Sequence, residues 1–211
     1  MKAVDFGAWA AVLLAVPFAI VVATAFLKFA VVLAILRRAF GGSAVPPASV
    51  AVGLALLFAL FVTAPVAQKV WAAAEPSLQK GDAVSVATAA GRAAEPVRAF
   101  LAAHAPARER QSFLELQKQL RPPAERDAVG ENDLVVLAPA FATAELKSAF
   151  AIGFLLFLPF LVIELLVSTV LTSLGMTSLA PELVSLPFKL LLFVLADGWH
   201  LLFRGLVLGY T

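Results

Sequence analysis

The sequence has no cysteine and only two histidines. The lack of cysteine excludes disulfides, thiolate nucleophiles and thiolate metal sites, and two histidines argue against a zinc or di-iron centre. HExxH and GxSxG motifs are also missing, so no nucleophile–base set points to an enzyme, and we expect no cofactor. Charged residues are scarce, at 14% of the chain, and form no basic stripe. We therefore expect no nucleic acid partner.

Apolar residues, in contrast, are in excess. They make up 62% of the 211 residues, whereas soluble domains contain roughly 45–50%. A chain of this length has too little interior to bury so much apolar surface. Lipid or other protein subunits must cover the remainder, which predicts a polytopic, membrane-type helical protein.

The charged residues divide the sequence into three regions. Residues 69–133 contain 9 of the 16 lysines and arginines and 9 of the 14 acidic residues, so this region is polar and neutral. The flanking regions, 1–68 and 134–211, are apolar. We predict an all-α fold in which these flanking regions form two long helical hairpins and residues 69–133 form a small helical insertion outside the cytoplasm.

The N-terminal hairpin is predicted to contain helices over about 8–36 and 48–70, since about 20 apolar residues cross a bilayer. Arg37 and Arg38 lie in the short connection between them, and short loops rich in Arg and Lys stay in the cytoplasm. This orientation places the insertion on the opposite side of the membrane. Within the insertion, residues 107–120 have the spacing of a short amphipathic helix.

The C-terminal hairpin is predicted to begin with a long helix that Thr143 caps and that ends at Leu174, before Gly175. A second helical stretch continues to about Leu208. Charged residues interrupt both: Lys147, Glu164, Glu182, Lys189 and Asp197. A charge at mid-bilayer costs about 2.5–3.5 kcal/mol on insertion scales, and such residues normally face a bundle interior. We therefore expect poor membrane spans that are covered largely by protein.

Glu164, Lys189 and Asp197 are candidates for charge pairs between helices or between subunits. If the hairpin folds about Ser178, Glu164 and Lys189 are offset by three residues, which is about 4.5 Å along a helix. Long side chains span that offset, so a pair within one chain is compatible with the spacing. Pairing across subunits in a ring is equally compatible.

Glu145 and Lys147 are two further candidates for charge pairs. Both lie near the predicted start of the long C-terminal helix, where Glu145 would favour the positive end of the helix dipole. Solvated or interfacial pairing is the simplest interpretation, and a contact between subunits is the alternative.

Four stretches, in order along the chain, carry a family resemblance. Residues 24–41 read TAFLKFAVVLAILRRAFG, and residues 52–66 read VGLALLFALFVTAPV. Residues 137–164 read LAPAFATAELKSAFAIGFLLFLPFLVIE, and residues 183–199 read LVSLPFKLLLFVLADGW. The sequence resembles the FliP/SctR family, the export-gate proteins of bacterial type III secretion. Its short segment before the first helix and its GLVLGY ending resemble the injectisome branch more than the flagellar branch.

The resemblance implies a channel subunit without chemistry of its own, in the bacterial inner membrane, with the insertion in the periplasm. Family members form rings of about five with SctS-type and SctT-type proteins, and unfolded protein substrates pass through the centre. A flagellar export gate of the same family is one alternative. A small-molecule or ion transporter is another, although the two halves show no internal repeat.

The turn at residues 175–181 resembles the family's methionine-rich loop, which narrows the pore. Only Met176 is a methionine here, followed by Thr177 and Ser178. Flexible apolar side chains suit contact with a moving chain. The resemblance therefore implies that Met176 and Leu179 line the pore constriction.

Overall fold

The computed structural model describes residues 24–41, 45–78 and 83–211, most of which are helical. Its elements are α1 (Phe26–Ala39), α2 (Ala48–Leu78), α3 (Ala83–His104), α4 (Ala107–Leu120), a 3-10 helix (Pro123–Ala128), α5 (Leu134–Ser173), α6 (Pro181–Leu195) and α7 (Gly198–Leu208). Because these described ranges contain no strand, the predicted all-α fold is confirmed.

Two of the described helices are long and apolar enough to cross a membrane. They are Ala48–Pro76 within α2 and Leu134–Ser173, which is all of α5. α6 and α7 together would make a third such segment, bent by 61° at their junction. α5 corrects the expectation of poor spans in the C-terminal region. Its charged residues are far enough apart along a helix of 40 residues to leave a mostly apolar window of spanning length.

The chain divides into two compact units. One, which we call the charged unit, contains Ala59–Glu145 together with the described residues before Lys28. The other, the apolar unit, contains Lys28–Phe58 and Leu146–Thr211. α2 and α5 each contribute residues to both units. The predicted division into three regions follows charge along the sequence rather than contacts, and it stays a prediction.

The core of the charged unit is formed by α3 and the first part of α5. Phe100 of α3 packs against Phe141 of α5, with ring centroids 5.7 Å apart. Leu101 and Leu137 are also buried. α4 has the predicted bounds, Ala107–Leu120, and none of its residues is buried. The amphipathic helix is therefore confirmed as an element on the exterior of this unit.

α5 begins at Leu134, well before the predicted cap at Thr143. The Gly130 N–H donates to Asp133 Oδ2 over 2.8 Å, which fixes a tight turn. The Asp133 carbonyl then accepts a bond from the Val136 N–H over 2.9 Å. The helix therefore follows Asp133 directly, and the Asp133 carboxylate fixes the preceding turn. Thr143 lies inside α5, and its predicted capping role is wrong.

α1 begins at Phe26, inside the span predicted as a single helix. Thr24 and Ala25 form a bend and a turn, and the Thr24 hydroxyl accepts a hydrogen bond from the Phe26 N–H over 3.3 Å. Threonine favours this local bond at helix starts. The prediction of one continuous helix over 8–36 is wrong at this point, and its residues before Thr24 lie outside the described part of the chain.

The core of the apolar unit is centred on α1 and the residue that follows it. Phe40 packs edge-on against Phe160 of α5 and Phe193 of α6, with centroids 5.0 and 5.5 Å away. Gly153 of α5 faces Ile35 of α1, and a Cβ at position 153 would lie 3.2 Å from the Ile35 Cβ. Only glycine allows α1 and α5 to approach this closely.

The predicted second stretch of the C-terminal hairpin is not continuous. It breaks at Ala196 and Asp197, where Asp197 adopts φ 50° and ψ 45°. Aspartate tolerates this left-handed region better than most residues. A Cβ on the next residue, Gly198, would overlap the buried ring of Phe193. The core thus sets the break, whereas Pro187 lies inside an unbroken α6.

Candidate functional site

A buried ion pair joins the two helices of the C-terminal hairpin. Lys189 on α6 is fully buried, and its Nζ lies 2.5 Å from Oε2 of Glu164 on α5. The Glu164 side chain keeps 30% of its surface exposed. The structure therefore brings these two predicted residues together within one chain. Removing one member of a buried pair leaves an uncompensated charge, which typically costs 3–5 kcal/mol.

A polar depression of about 390 Å³ adjoins this pair. Its walls are formed by Arg38, Gly41, Phe157, Glu164 and Glu182. Gly41 has φ +109°, and a Cβ there would lie 3.6 Å from the Glu182 Cβ. The exposed part of Glu164 faces this depression, so the pair is buried on the lysine side and hydrated on the carboxylate side.

The turn between α5 and α6 projects its side chains outward. Gly175 has φ +72°, its N–H donates to the Thr172 carbonyl, and the Met176 N–H donates to the Leu171 carbonyl. These two bonds form a Schellman motif, which ends a helix at a left-handed glycine. The predicted helix end is therefore confirmed. Met176 and Leu179 are 45% and 43% exposed, as a contact surface requires.

Asp197 does not behave as a buried charge in this chain. It is exposed, and its carboxylate makes no capping hydrogen bond to α7. Within the described residues, no bond joins it to His200 either. Its observed role is conformational, because its left-handed backbone produces the break between α6 and α7.

Glu145 and Lys147 differ in burial. Glu145 is only 3% exposed, and the first turn of α5 contains no acidic residue. The expected position near the positive end of the helix dipole is therefore wrong, because α5 starts at Leu134. Lys147 is exposed. The exposure of Lys147 is compatible with contact to solvent, whereas the burial of Glu145 is not.

Lys28 is a buried charged residue that sequence reasoning did not select. It lies on α1 and is buried, and its Nζ sits 4.1 Å from the centroid of the Tyr210 ring. Such cation–π contacts stabilise a desolvated ammonium group. The signal in the sequence is a single lysine within an apolar helix. A lone lysine in an apolar helix indicates that its ammonium group needs a partner. It does not indicate that this partner is the ring of Tyr210.

Metal binding finds no support in the described ranges 24–41, 45–78 and 83–211. They contain no group of three or more His, Asp or Glu side chains arranged to hold an ion.

The sequence is similar to known proteins along nearly its whole length. A model of the FliP family matches residues 10–206. The chain is 44% identical over 197 residues to the hypersensitivity response secretion protein HrcR of Ralstonia nicotianae, covering 92% of this chain and 91% of that protein.

Two other relatives come from different systems. The chain is 45% identical to the Yop proteins translocation protein R of Yersinia pestis, covering 92% of this chain and 90% of that protein. It is 41% identical to the flagellar biosynthetic protein FliP of Pectobacterium carotovorum, covering 92% of this chain and 73% of that protein.

Proposed function

The chain belongs to the FliP family, and we propose on that premise that it is a core subunit of a type III secretion export apparatus. In this role it forms part of the channel through which unfolded proteins leave the cytoplasm, and it performs no chemistry of its own. The observation that carries the proposal is the match over nine-tenths of the chain to relatives named for secretion and translocation. We propose the injectisome branch, because the chain is more identical to those relatives, at 44 and 45%, than to flagellar relatives, at 36 to 41%.

The exposed surface of the apolar unit supports a role as one subunit of a larger assembly. Large apolar side chains are exposed along α5 and α6 in the single chain, including Leu155, Leu165, Leu166, Leu183, Val194 and Leu195. An apolar surface of this size needs lipid or protein to cover it. We infer that further copies in a ring of about five, SctS-type and SctT-type proteins, and lipid share that task.

The inner membrane is the proposed location. Arg37 and Arg38 form the last turn of α1, and the Arg37 Nε donates to the Pro46 carbonyl over 2.7 Å. These two basic residues adjoin the connection to α2, and the positive-inside rule retains such short basic segments in the cytoplasm. This supports placing residues 69–133 on the periplasmic side.

The turn at Gly175 is the proposed constriction of the channel. Its two outward apolar side chains, Met176 and Leu179, are flexible enough to fit around chains of varied sequence. The Glu164–Lys189 pair holds α6 against α5 a few helical turns from this turn. It therefore limits how far the two helix ends that flank the turn can separate.

Disulfide trapping tests this assignment, since the natural chain has no cysteine to compete. Met176→Cys would be expressed in the host lacking the native gene, together with a substrate that stalls in the channel and carries one cysteine. We expect secretion of a normal substrate and a cross-link to the stalled one. Leu120→Cys, at an exposed leucine on α4, is the control that should not cross-link.

Two results would contradict the proposal. One is a monomer or dimer that shows solute uptake and lacks SctS-type and SctT-type partners on native mass measurement. The other is full secretion by a host from which the gene has been deleted. A missing cross-link with intact secretion would remove Met176 from the constriction but leave the channel assignment in place.

A further inference from the structure

A second cavity of the apolar unit lies away from the Gly175 turn. It has a volume of about 410 Å³ and is lined by Phe58 of α2 and one face of α7: Trp199, His200, Phe203, Arg204 and Val207. The other face of α7 carries Leu202 and Leu206, which are buried in the core. α7 is therefore fixed by one face and presents the other to this cavity.

Three aromatic rings form a continuous wall along the cavity. Phe58 and Phe203 stack with centroids 3.8 Å apart and planes at 13°. Trp199 also stacks with Phe203, with centroids 5.7 Å apart and planes at 12°. Flat aromatic surfaces that include tryptophan are typical of the zone where protein meets lipid headgroups.

Two nitrogen-bearing side chains lie beside this wall. His200 and Arg204 are four residues apart on α7, so they share one face of the helix, and both are exposed. Among the described residues, no hydrogen bond or ion pair engages the Arg204 guanidinium. The cavity lining contains no carboxylate. An anion in this cavity would therefore meet the N–H donors of the Arg204 guanidinium, and no negatively charged side chain of the lining would repel it.

We propose that this cavity binds an anionic phospholipid. The Arg204 guanidinium donates to two phosphate oxygens, a bidentate geometry for which arginine is suited. The His200 ring supplies another N–H donor. The glycerol and upper acyl chain lie against the wall formed by Phe58, Phe203 and Trp199. That apolar wall favours a lipid over a free phosphate ion, and the α6–α7 pair is itself a candidate membrane segment.

Quenching of Trp199 by brominated lipids tests the proposal on the full-length protein. Trp9→Phe and Trp71→Phe leave Trp199 as the only tryptophan, and the protein is reconstituted in phosphatidylcholine vesicles. Brominated phosphatidylglycerol or brominated phosphatidylcholine is added at equal mole fraction. We expect apparent binding of the phosphatidylglycerol to be about fivefold stronger, the usual effect of one basic residue near a membrane surface.

Three variants distinguish a lipid site from general attraction to the membrane. Arg204→Gln should remove the preference, and Arg204→Lys, which keeps the charge but loses the bidentate contact, should retain only part of it. Arg108→Gln, at an exposed arginine on α4, should leave it unchanged. Because Arg204→Lys keeps the positive charge, a partial preference in this variant also separates loss of the site from misfolding.

Several results would overturn the proposal. Equal quenching by the two lipids, or a preference that survives in Arg204→Gln, would show that Arg204 selects no headgroup. Abolition of the preference by excess inorganic phosphate would assign the site to a free anion. No quenching by either lipid would mean that protein covers the cavity. The measurement uses no secretion assay, so its failure is separate from failure of the proposed function.

Discussion

The C-terminal hairpin is interrupted at two places that are built in different ways. At Gly175 the backbone turns at φ +72°, and a Cβ there would meet no atom within 4 Å. At Asp197 the backbone bends at φ 50°, and the next residue, Gly198, lies directly against the Phe193 ring. The first interruption is a property of the local chain, whereas the second depends on the core.

The Gly175 turn therefore exposes the side chains of its neighbours, whereas the Asp197 bend allows Gly198 to pack against Phe193. Next to Gly175, Met176 and Leu179 are exposed, so substituting them should alter contacts with other molecules more than stability. Next to Asp197, substituting Gly198 should act mainly on the fold, because an added side chain would meet the Phe193 ring. Lys189 lies between the two interruptions and holds α6 against α5 through Glu164.

The largest expected effect is that of Lys189→Ala. It leaves the Glu164 carboxylate without its partner and should cost about 3 kcal/mol, at the lower end for buried pairs because Glu164 is partly hydrated. We expect no assembled complex, measured by size after mild solubilisation. The double variant Glu164→Leu with Lys189→Met removes both charges and should recover part of the assembly. An intact complex from Lys189→Ala alone would contradict this view of the pair.

Gly198→Ala should have the next largest effect. Its added Cβ would overlap Phe193, and overpacking of this kind costs about 1–3 kcal/mol. Thermal unfolding of the purified protein measures the loss. Gly205→Ala is the matched control on the same helix, because a Cβ there meets nothing within 4 Å. It should be neutral or stabilising by up to about 1 kcal/mol. Equal thermal stability of Gly198→Ala and Gly205→Ala would show that the bend at Asp197 does not depend on packing against Phe193.

Gly175→Ala should cost less than Gly198→Ala. Its penalty comes from the left-handed backbone alone and amounts to about 1–2 kcal/mol. Asp197→Gly, in turn, relieves the same kind of strain and should change stability by less than about 1 kcal/mol. Chemical or thermal unfolding of both variants tests the order. A larger loss for Asp197→Gly would indicate that its carboxylate has a role that its exposed position does not suggest.

The smallest effect on stability is expected for Met176→Ala. The side chain is nearly half exposed, so unfolding should change by no more than about 0.5 kcal/mol. Ion leakage through the closed channel should nevertheless rise, because the substitution shortens a side chain at the proposed constriction. If both leakage and secretion matched the natural protein, Met176 would have no sealing role.

The parts of the fold that could be predicted from the sequence are those with local signals. α4 was predictable because Pro106 precedes it and its polar and apolar residues alternate at helical spacing. The Gly175 helix end follows from the conformational freedom of glycine. The reach between Glu164 and Lys189 follows from counting residues in a tight hairpin, and they do pair within one chain.

The parts that could not be predicted depend on contacts between distant segments. The bend at Asp197 requires Phe193 to occupy the space beside Gly198, and the sequence does not say which ring enters the core. The preference of threonine for caps points to a helix start at Thr143, but threonine also occurs inside helices when packing outweighs its weak propensity, and Thr143 is such a case. Lys28 and Tyr210 are separated by almost the whole chain, so no periodicity relates them.

The close approach of Gly153 to Ile35 has a mechanical consequence. With the Ile35 side chain seated against the bare backbone of α5, sliding α1 along α5 would drive that side chain into neighbouring side chains. α1 and α5 should therefore move together as one rigid unit. Any opening motion of the apolar unit would then leave the contact between α1 and α5 unchanged.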